Sequence, residues 1–292
     1  LTFVGSANPI LYCNAEPIFI DSETETWNMC PLLLEKAIND SLKINKKPKA
    51  IILVHLYGMP AKINEIKEIS KKYDIPLIED AAEALGSNYD GIPLGTIGDF
   101  GILSFNGNKI ITTSGGGALI SSSFEHSKKA KFLSSQAKEN TIYYHHKEIG
   151  YNYRISNVLA AIGLGQIEQI DKKIKIRRKN FSLYKKYLNN IEEISFLEEP
   201  LNFYSNRWIT TILVSSQNGF CKEKIIRKLR ENKIESRPIW KPMHLQPLYK
   251  QYKFYNNNSS EKLFNLGLCL PSGTTLTEEQ ISKISQIIIS SK

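Results

Sequence analysis

The 292-residue chain contains no apolar run approaching the ~20 residues that a membrane-spanning helix needs. Its opening, Leu1-Thr2-Phe3-Val4, lacks the basic and apolar regions of a secretory signal. Cysteine is sparse. Cys13, Cys30, Cys221 and Cys269 form no C-x-x-C pair, which argues against a zinc ribbon or disulfide framework and suits a reducing cytosol. With 17 Gly, 12 Pro, 41% hydrophobic and 23% charged residues, the composition lies outside the collagenous and disordered classes and predicts a folded chain. No zinc-finger, RRM or KH signature is present, and no G-K-[ST] follows the glycines at 115–117, so a Walker A loop is excluded. These absences point to a soluble, cytoplasmic protein that contacts neither membrane nor nucleic acid.

Lys and Arg total 38 against 29 Asp and Glu, a net charge of +9. The densest basic run is Lys172, Lys173, Lys175, Arg177, Arg178 and Lys179, on a stretch where Ile170, Ile174, Phe181, Tyr184 and Leu188 recur at helical spacing. That pattern predicts an amphipathic helix with the six basic residues on its solvated face.

The first two-thirds alternates short apolar runs with helical patterns, the signature of an α/β fold. Strands are expected at 17–21, 50–55, 76–80, 101–105 and 118–121, and helices at 31–42, 64–73, 156–167 and 171–188. The runs Ile51-Ile52-Leu53-Val54 and Leu77-Ile78 do not alternate with polar residues, as expected for strands buried on both faces of a mostly parallel sheet. Ligands then belong at the strand carboxyl ends. Beyond about residue 190 the pattern becomes a smaller α+β unit, with a strand at 208–214 and helices at 222–232 and 277–290. Thr277-x-x-Gln280 matches a capping box, and Asn256-Asn257-Asn258-Ser259-Ser260 reads as a surface loop.

Asp80 closes one expected strand and Lys109 lies in the polar loop Asn106-Gly107-Asn108-Lys109 after another. Alone, Asp80 reads equally as a helix cap or metal ligand and Lys109 as an exposed charge. Together, an acid and an isolated loop lysine at two strand ends are what a pyridoxal phosphate (PLP) site requires. The lysine attacks the aldehyde, and the carboxylate keeps the pyridine nitrogen protonated. His55 fits either a pocket or a satisfied core position, and Thr112 to Gly117 either a phosphate nest or a permissive turn.

Several segments follow in one order: His55-Leu56-Tyr57-Gly58, Ile78-Glu79-Asp80-Ala81-Ala82-Glu83-Ala84-Leu85-Gly86, Gly98-Asp99-Phe100-Gly101, Ser104-Phe105-Asn106-Gly107-Asn108-Lys109, Gly115-Gly116-Gly117, Gly150-Tyr151-Asn152-Tyr153-Arg154-Ile155-Ser156-Asn157 and Ser236-Arg237-Pro238-Ile239-Trp240-Lys241-Pro242-Met243-His244. In order and spacing they resemble the DegT/StrS family of PLP-dependent sugar aminotransferases. The resemblance implies an aspartate-aminotransferase-like fold (fold type I), with a large PLP-binding domain at 1–190 and a small C-terminal α+β domain at 191–292. It also implies an N-terminally incomplete chain, because the family's phosphate-binding turn precedes Leu1.

Carried over by resemblance, Lys109 is the Schiff-base lysine, Asp80 the pyridinium partner, Glu83 a residue beside the ring's 3-oxygen and the substrate, Ser104 a phosphate ligand and Phe3 the aromatic stacked on the ring. Asn152 reaches a neighbouring subunit's cofactor, which implies a homodimer. Glu83, Arg237, Trp240 and His244 contact substrate. The implied activity transfers an amino group from glutamate to C4 of a nucleotide-linked 4-keto-6-deoxy sugar, for surface polysaccharide or glycan biosynthesis. Glu83, where many relatives carry Gln or His, resembles the UDP-N-acetyl subgroup of the bacillosamine type. The competing expectation is a non-catalytic chain that binds PLP or a sugar nucleotide without turnover. A dehydratase of the same family would carry His where this chain has Lys109.

Overall fold

The computed structural model describes residues 1–216 and 219–292. Among them, Ile51–Val54, Leu77–Asp80, Phe100–Ser104 and Gly117–Ile120 form one four-stranded sheet in that order. The first two pairings are parallel and the last is antiparallel. This is the mixed, mostly parallel sheet that the uninterrupted apolar runs require. Leu53 and Leu77 are buried, and Leu34 and Ile38 of the helix Pro31–Lys43 and Ile63 and Ile66 of the helix Ile63–Tyr73 pack into the same cluster. Parallel pairing places the carboxyl ends of neighbouring strands together, so Asp80 and the loop after Ser104 share one edge. Close packing also fixes Gly101, where an added Cβ would lie 1.9 Å from the Gly95 carbonyl oxygen.

A second sheet orders Arg237–Pro238, Gly267–Leu270, Thr210–Val214 and Ile194–Phe196, with antiparallel pairings throughout. Its core draws on Ile212, Leu268, Ile225 and Leu229 of the helix Lys222–Glu231, and Ile281 and Ile288 of the helix Glu278–Ile289. The last helix carries the expected Thr277/Gln280 capping box. This cluster begins at Leu183, inside the helix Ile170–Leu188 and upstream of residue 190. A third cluster joins Trp27, Leu56, Tyr57 and Met59 to Trp208, Ile239 and Leu263, so apolar contacts tie the later segment to the first sheet's edge.

Three expectations need correction. The strand at 17–21 does not enter the main sheet. Phe19–Ile20 pairs in parallel with Phe254–Tyr255, and Asp21 accepts hydrogen bonds from the backbone N–H groups of Asn257, Ser259 and Ser260. Those donors mark the second correction, because Ser259–Leu266 is a helix and Ser259 and Ser260 are buried rather than in a surface loop. Asp21, distant in sequence, caps the helix. The third concerns the basic helix. Arg177 turns inward and donates from Nη1 to the carbonyls of Trp208 and Ser272. Arg178 forms a two-pronged pair with Glu199 and donates to the Ser205 carbonyl. Guanidinium groups can satisfy buried carbonyls in ways lysine ammonium groups rarely match, so these two positions anchor the helix instead of being solvated.

Candidate active site

At the shared strand edge, the Lys109 amine lies 3.6 Å from Glu83 Oε1, and both side chains are almost wholly enclosed. On another side the amine sits 4.1 Å from the centre of the Trp208 ring. Glu83 Oε2 accepts the Tyr57 backbone N–H at 2.7 Å. Tyr57 makes that donation from a left-handed backbone conformation, φ 55°, costly for a side chain of its size and typical of a site where structure over-determines local geometry. Burial drives the Glu83 carboxyl up to about 7, opposed by the Lys109 charge and the Tyr57 N–H and assisted by the Asp80 charge. Near neutrality Glu83 therefore exchanges a proton readily beside an amine.

Asp80, half-buried, accepts from Ser6 Oγ at 2.6 Å on one oxygen and from the Ala82 N–H at 3.2 Å on the other. Its neighbour Glu79 is fully buried and takes N–H groups from Gly95, Ile97 and Gly98 together with His55 Nε2 at 3.1 Å. Burial pushes the Glu79 carboxyl up, but the hydrogen bond from His55 and the backbone donors outweigh it, and the group is held below its ordinary value. His55 Nδ1 accepts the Ala61 N–H, which assigns the ring proton to Nε2. Thus His55 is a satisfied core residue, and the pair fixes the strand that presents Asp80.

The remaining expected residues divide by position. Phe3 is 55% exposed, with its ring centre 5.6 Å from that of Trp240. Ser104 stands at the strand terminus and accepts the Asn106 N–H at 3.4 Å. Trp240 donates its backbone N–H to the Tyr57 hydroxyl at 2.8 Å, and the two rings stack. Trp240 and Arg237 line a cavity of about 860 Å³ together with Tyr57, Asn108, Trp208 and Arg177. Arg237 itself pairs with Glu235 at the surface. His244 is not part of this group: it bonds Glu261 at 3.0 Å and stacks on Phe254 at 3.7 Å. Asn152 is exposed and bridged through its backbone to Ser135.

Trp208, Ser6 and Tyr57 were not singled out from sequence as site residues. Trp208 and Ser6 reach the site only through tertiary closure, and Tyr57 was visible only as part of a motif. The assembled donor set suits PLP chemically: an enclosed amine, a carboxylate at the neighbouring strand end, an exposed aromatic ring and a hydroxyl at a strand terminus.

Over residues 1–289 the sequence matches the DegT/DnrJ/EryC1/StrS aminotransferase family. The chain belongs to this family. It is 47% identical over 292 residues to EpsN of Bacillus subtilis (strain 168), to which pyridoxal phosphate-dependent aminotransferase activity is ascribed, covering 99% of this chain and 75% of EpsN. It is 37% identical over 288 residues to the GDP-perosamine synthase of Escherichia coli O157:H7, covering 99% of this chain and 76% of that protein. Among solved structures, a family aminotransferase from Brucella abortus superposes with a TM-score of 0.90 at 29% identity, covering 99% of this chain and 77% of that one. The family member is a fold type I, PLP-dependent aminotransferase. No helix among the described residues is long and apolar enough to cross a membrane.

Proposed function

We propose that this aminotransferase moves an amino group from glutamate to C4 of a nucleotide-linked 4-keto-6-deoxy sugar in the cytoplasm, for surface polysaccharide or glycan synthesis. The observation that carries the reading is the convergence of Lys109, Glu83 and Asp80 at the carboxyl ends of adjacent parallel strands. PLP, when bound, supplies the aldehyde that takes up the amino group and the ring that withdraws electrons from the reacting carbon. Asp80 would hold a proton at the ring nitrogen. Lys109 would hold the cofactor and, as a free amine, would carry a proton to and from the carbon that loses or gains the amino group. Glu83 accepts that proton from Lys109 or returns it, a role matched to a carboxyl that titrates near 7. Ser104 would bind the cofactor phosphate and Phe3 would cover the ring.

The same reading assigns Arg237, Trp240 and His244 to the substrate and Asn152 to the cofactor of a second subunit. An exposed apolar face supports a homodimer. The helix Asn157–Ile167 buries none of its residues, and Val158, Ile162, Leu164 and Ile167 lie exposed, as do Tyr143, Tyr144, Ile149, Tyr151 and Tyr153 in the segment before it. A UDP-linked N-acetylated sugar is supported by Glu83 and the segment 237–244. A GDP-linked sugar is the second reading, favoured by the 37% identity to a GDP-perosamine synthase.

The test is kcat/KM with glutamate and a panel of UDP-, dTDP- and GDP-linked 4-keto sugars. A preference for the UDP N-acetyl compound supports the first reading and a GDP preference the second. Absence of transfer to every member would refute both and favour the non-catalytic alternative.

A further inference from the structure

We propose that Trp208 is a positioning residue for Lys109, orienting its amine through the face of the indole ring, an inference that rests on the reading of Lys109 as the cofactor-binding lysine. Lysine has a flexible four-carbon stem, and Lys109 ends a loop whose preceding residues Gly107 and Asn108 are exposed. Without an external restraint the amine would sample many positions. Two groups restrain it: Glu83 Oε1 at 3.6 Å and the Trp208 ring at 4.1 Å. An ammonium over an indole face is attracted by the ring's quadrupole, and the neutral amine that attacks the aldehyde keeps an N–H pointed at the same face, so the ring orients the nucleophile itself.

The same indole also fixes the loop. Its Nε1–H donates to the Asn108 carbonyl at 2.7 Å, one residue before Lys109, so one side chain holds both the root and the tip of the lysine. The ring itself has little freedom. Trp208 is 1% exposed, and Tyr57 stacks on it with ring centres 6.4 Å apart. The Trp208 N–H donates to Asn206 Oδ1 at 2.8 Å, and Asn206 Nδ2 donates to the Glu83 and Leu85 carbonyls at 2.9 Å each. Arg177 takes the Trp208 carbonyl. Asn206 thus ties the indole to the backbone that carries Glu83, and the two restraints on the amine are set relative to each other. Gly58 makes room for this link, since a Cβ there would fall 2.0 Å from Asn206 Oδ1.

A tryptophan that only filled space would influence stability and nothing else. The experiment therefore measures capture of PLP by cofactor-free protein, followed by absorbance and by the stoichiometry of borohydride-trapped pyridoxyl group on Lys109, alongside thermal stability. Trp208→Phe keeps a ring face but loses the Nε1–H donor to Asn108 and should capture at a rate between those of the wild type and the Met variant. Trp208→Met keeps apolar bulk without the ring and should slow capture about tenfold or more. Equal rates in the wild type and Trp208→Met, or equal impairment of the Phe and Met variants, would overturn the inference.

Should Trp208→Met fail to fold, fluorinated tryptophan placed at position 208 alone, by nonsense suppression in a Trp240→Phe background, drains charge from the ring face with little change of shape. Slower capture than in the unfluorinated Trp240→Phe protein supports the role, and an unchanged rate refutes it. The two readings fail separately. Wild-type label on another lysine removes the assignment of Lys109, whereas label on Lys109 with capture indifferent to Trp208 removes only this inference.

Discussion

Replacing Glu83 by Gln should change how stability depends on pH more than it changes stability at any one pH. In the folded protein the carboxyl titrates at about 7, against an ordinary value of 4.5, with burial the main cause. A raised acid binds protons more tightly in the folded than in the unfolded state. Its contribution is present in full below pH 4.5 and is lost as pH rises through about 7. Integrated between pH 5 and pH 8, these two values give a loss of about 2–3 kcal/mol, at roughly 1.4 kcal/mol for each unit of pH over which the proton difference is complete.

Glutamine keeps an acceptor for the Tyr57 N–H but has no proton to lose. Relative to wild type, the variant should therefore gain about 2–3 kcal/mol between pH 5 and pH 8, or about 3–5 °C in Tm for a chain of this size. Thermal melts of both cofactor-free proteins across that window make the comparison. Parallel Tm-against-pH curves would refute the argument, because they would mean that the carboxyl is not desolvated beside Lys109.

Other consequences are more local. Asp21→Ala removes the acceptor for the N–H groups of Asn257, Ser259 and Ser260 and should cost about 2–4 kcal/mol in urea unfolding, and a cost below 0.5 kcal/mol would contradict the cap. Val158→Asp places a charge on the exposed apolar helix and should shift the protein toward monomer in sedimentation equilibrium, whereas an unchanged mass would remove this face from the interface. Mixing Lys109→Ala with Asn152→Ala subunits should restore some activity if Asn152 serves the neighbouring site. No recovery in verified heterodimers would assign it elsewhere.

The sheet was readable because burial on both faces leaves an unmistakable pattern in Ile51–Val54 and Leu77–Asp80. Asp80 and Lys109 were readable because each sits where a strand ends, the position that parallel topology makes a ligand edge. Periodicity identified the buried stripe of the helix Ile170–Leu188 but could not reveal that Trp208, Ser272, Ser205 and Glu199 would meet Arg177 and Arg178 from distant segments. The helix Ser259–Leu266 was hidden for a related reason. Its Asn- and Ser-rich start looks like a loop until Asp21 supplies the cap. His244 lies in a motif read as substrate-binding, and its stacking on Phe254 and its bond to Glu261 arise from chain folding that no local pattern encodes.

The proposed chemistry stands on Lys109 as the residue that holds the cofactor. Borohydride reduction of the PLP-loaded protein, followed by proteolysis and mass mapping, tests it directly. One pyridoxyl group per chain is expected, on Lys109, absent from Lys109→Ala and absent from wild type treated first with excess glutamate. A pyridoxyl group on any other lysine, or full transamination by Lys109→Ala, would contradict it.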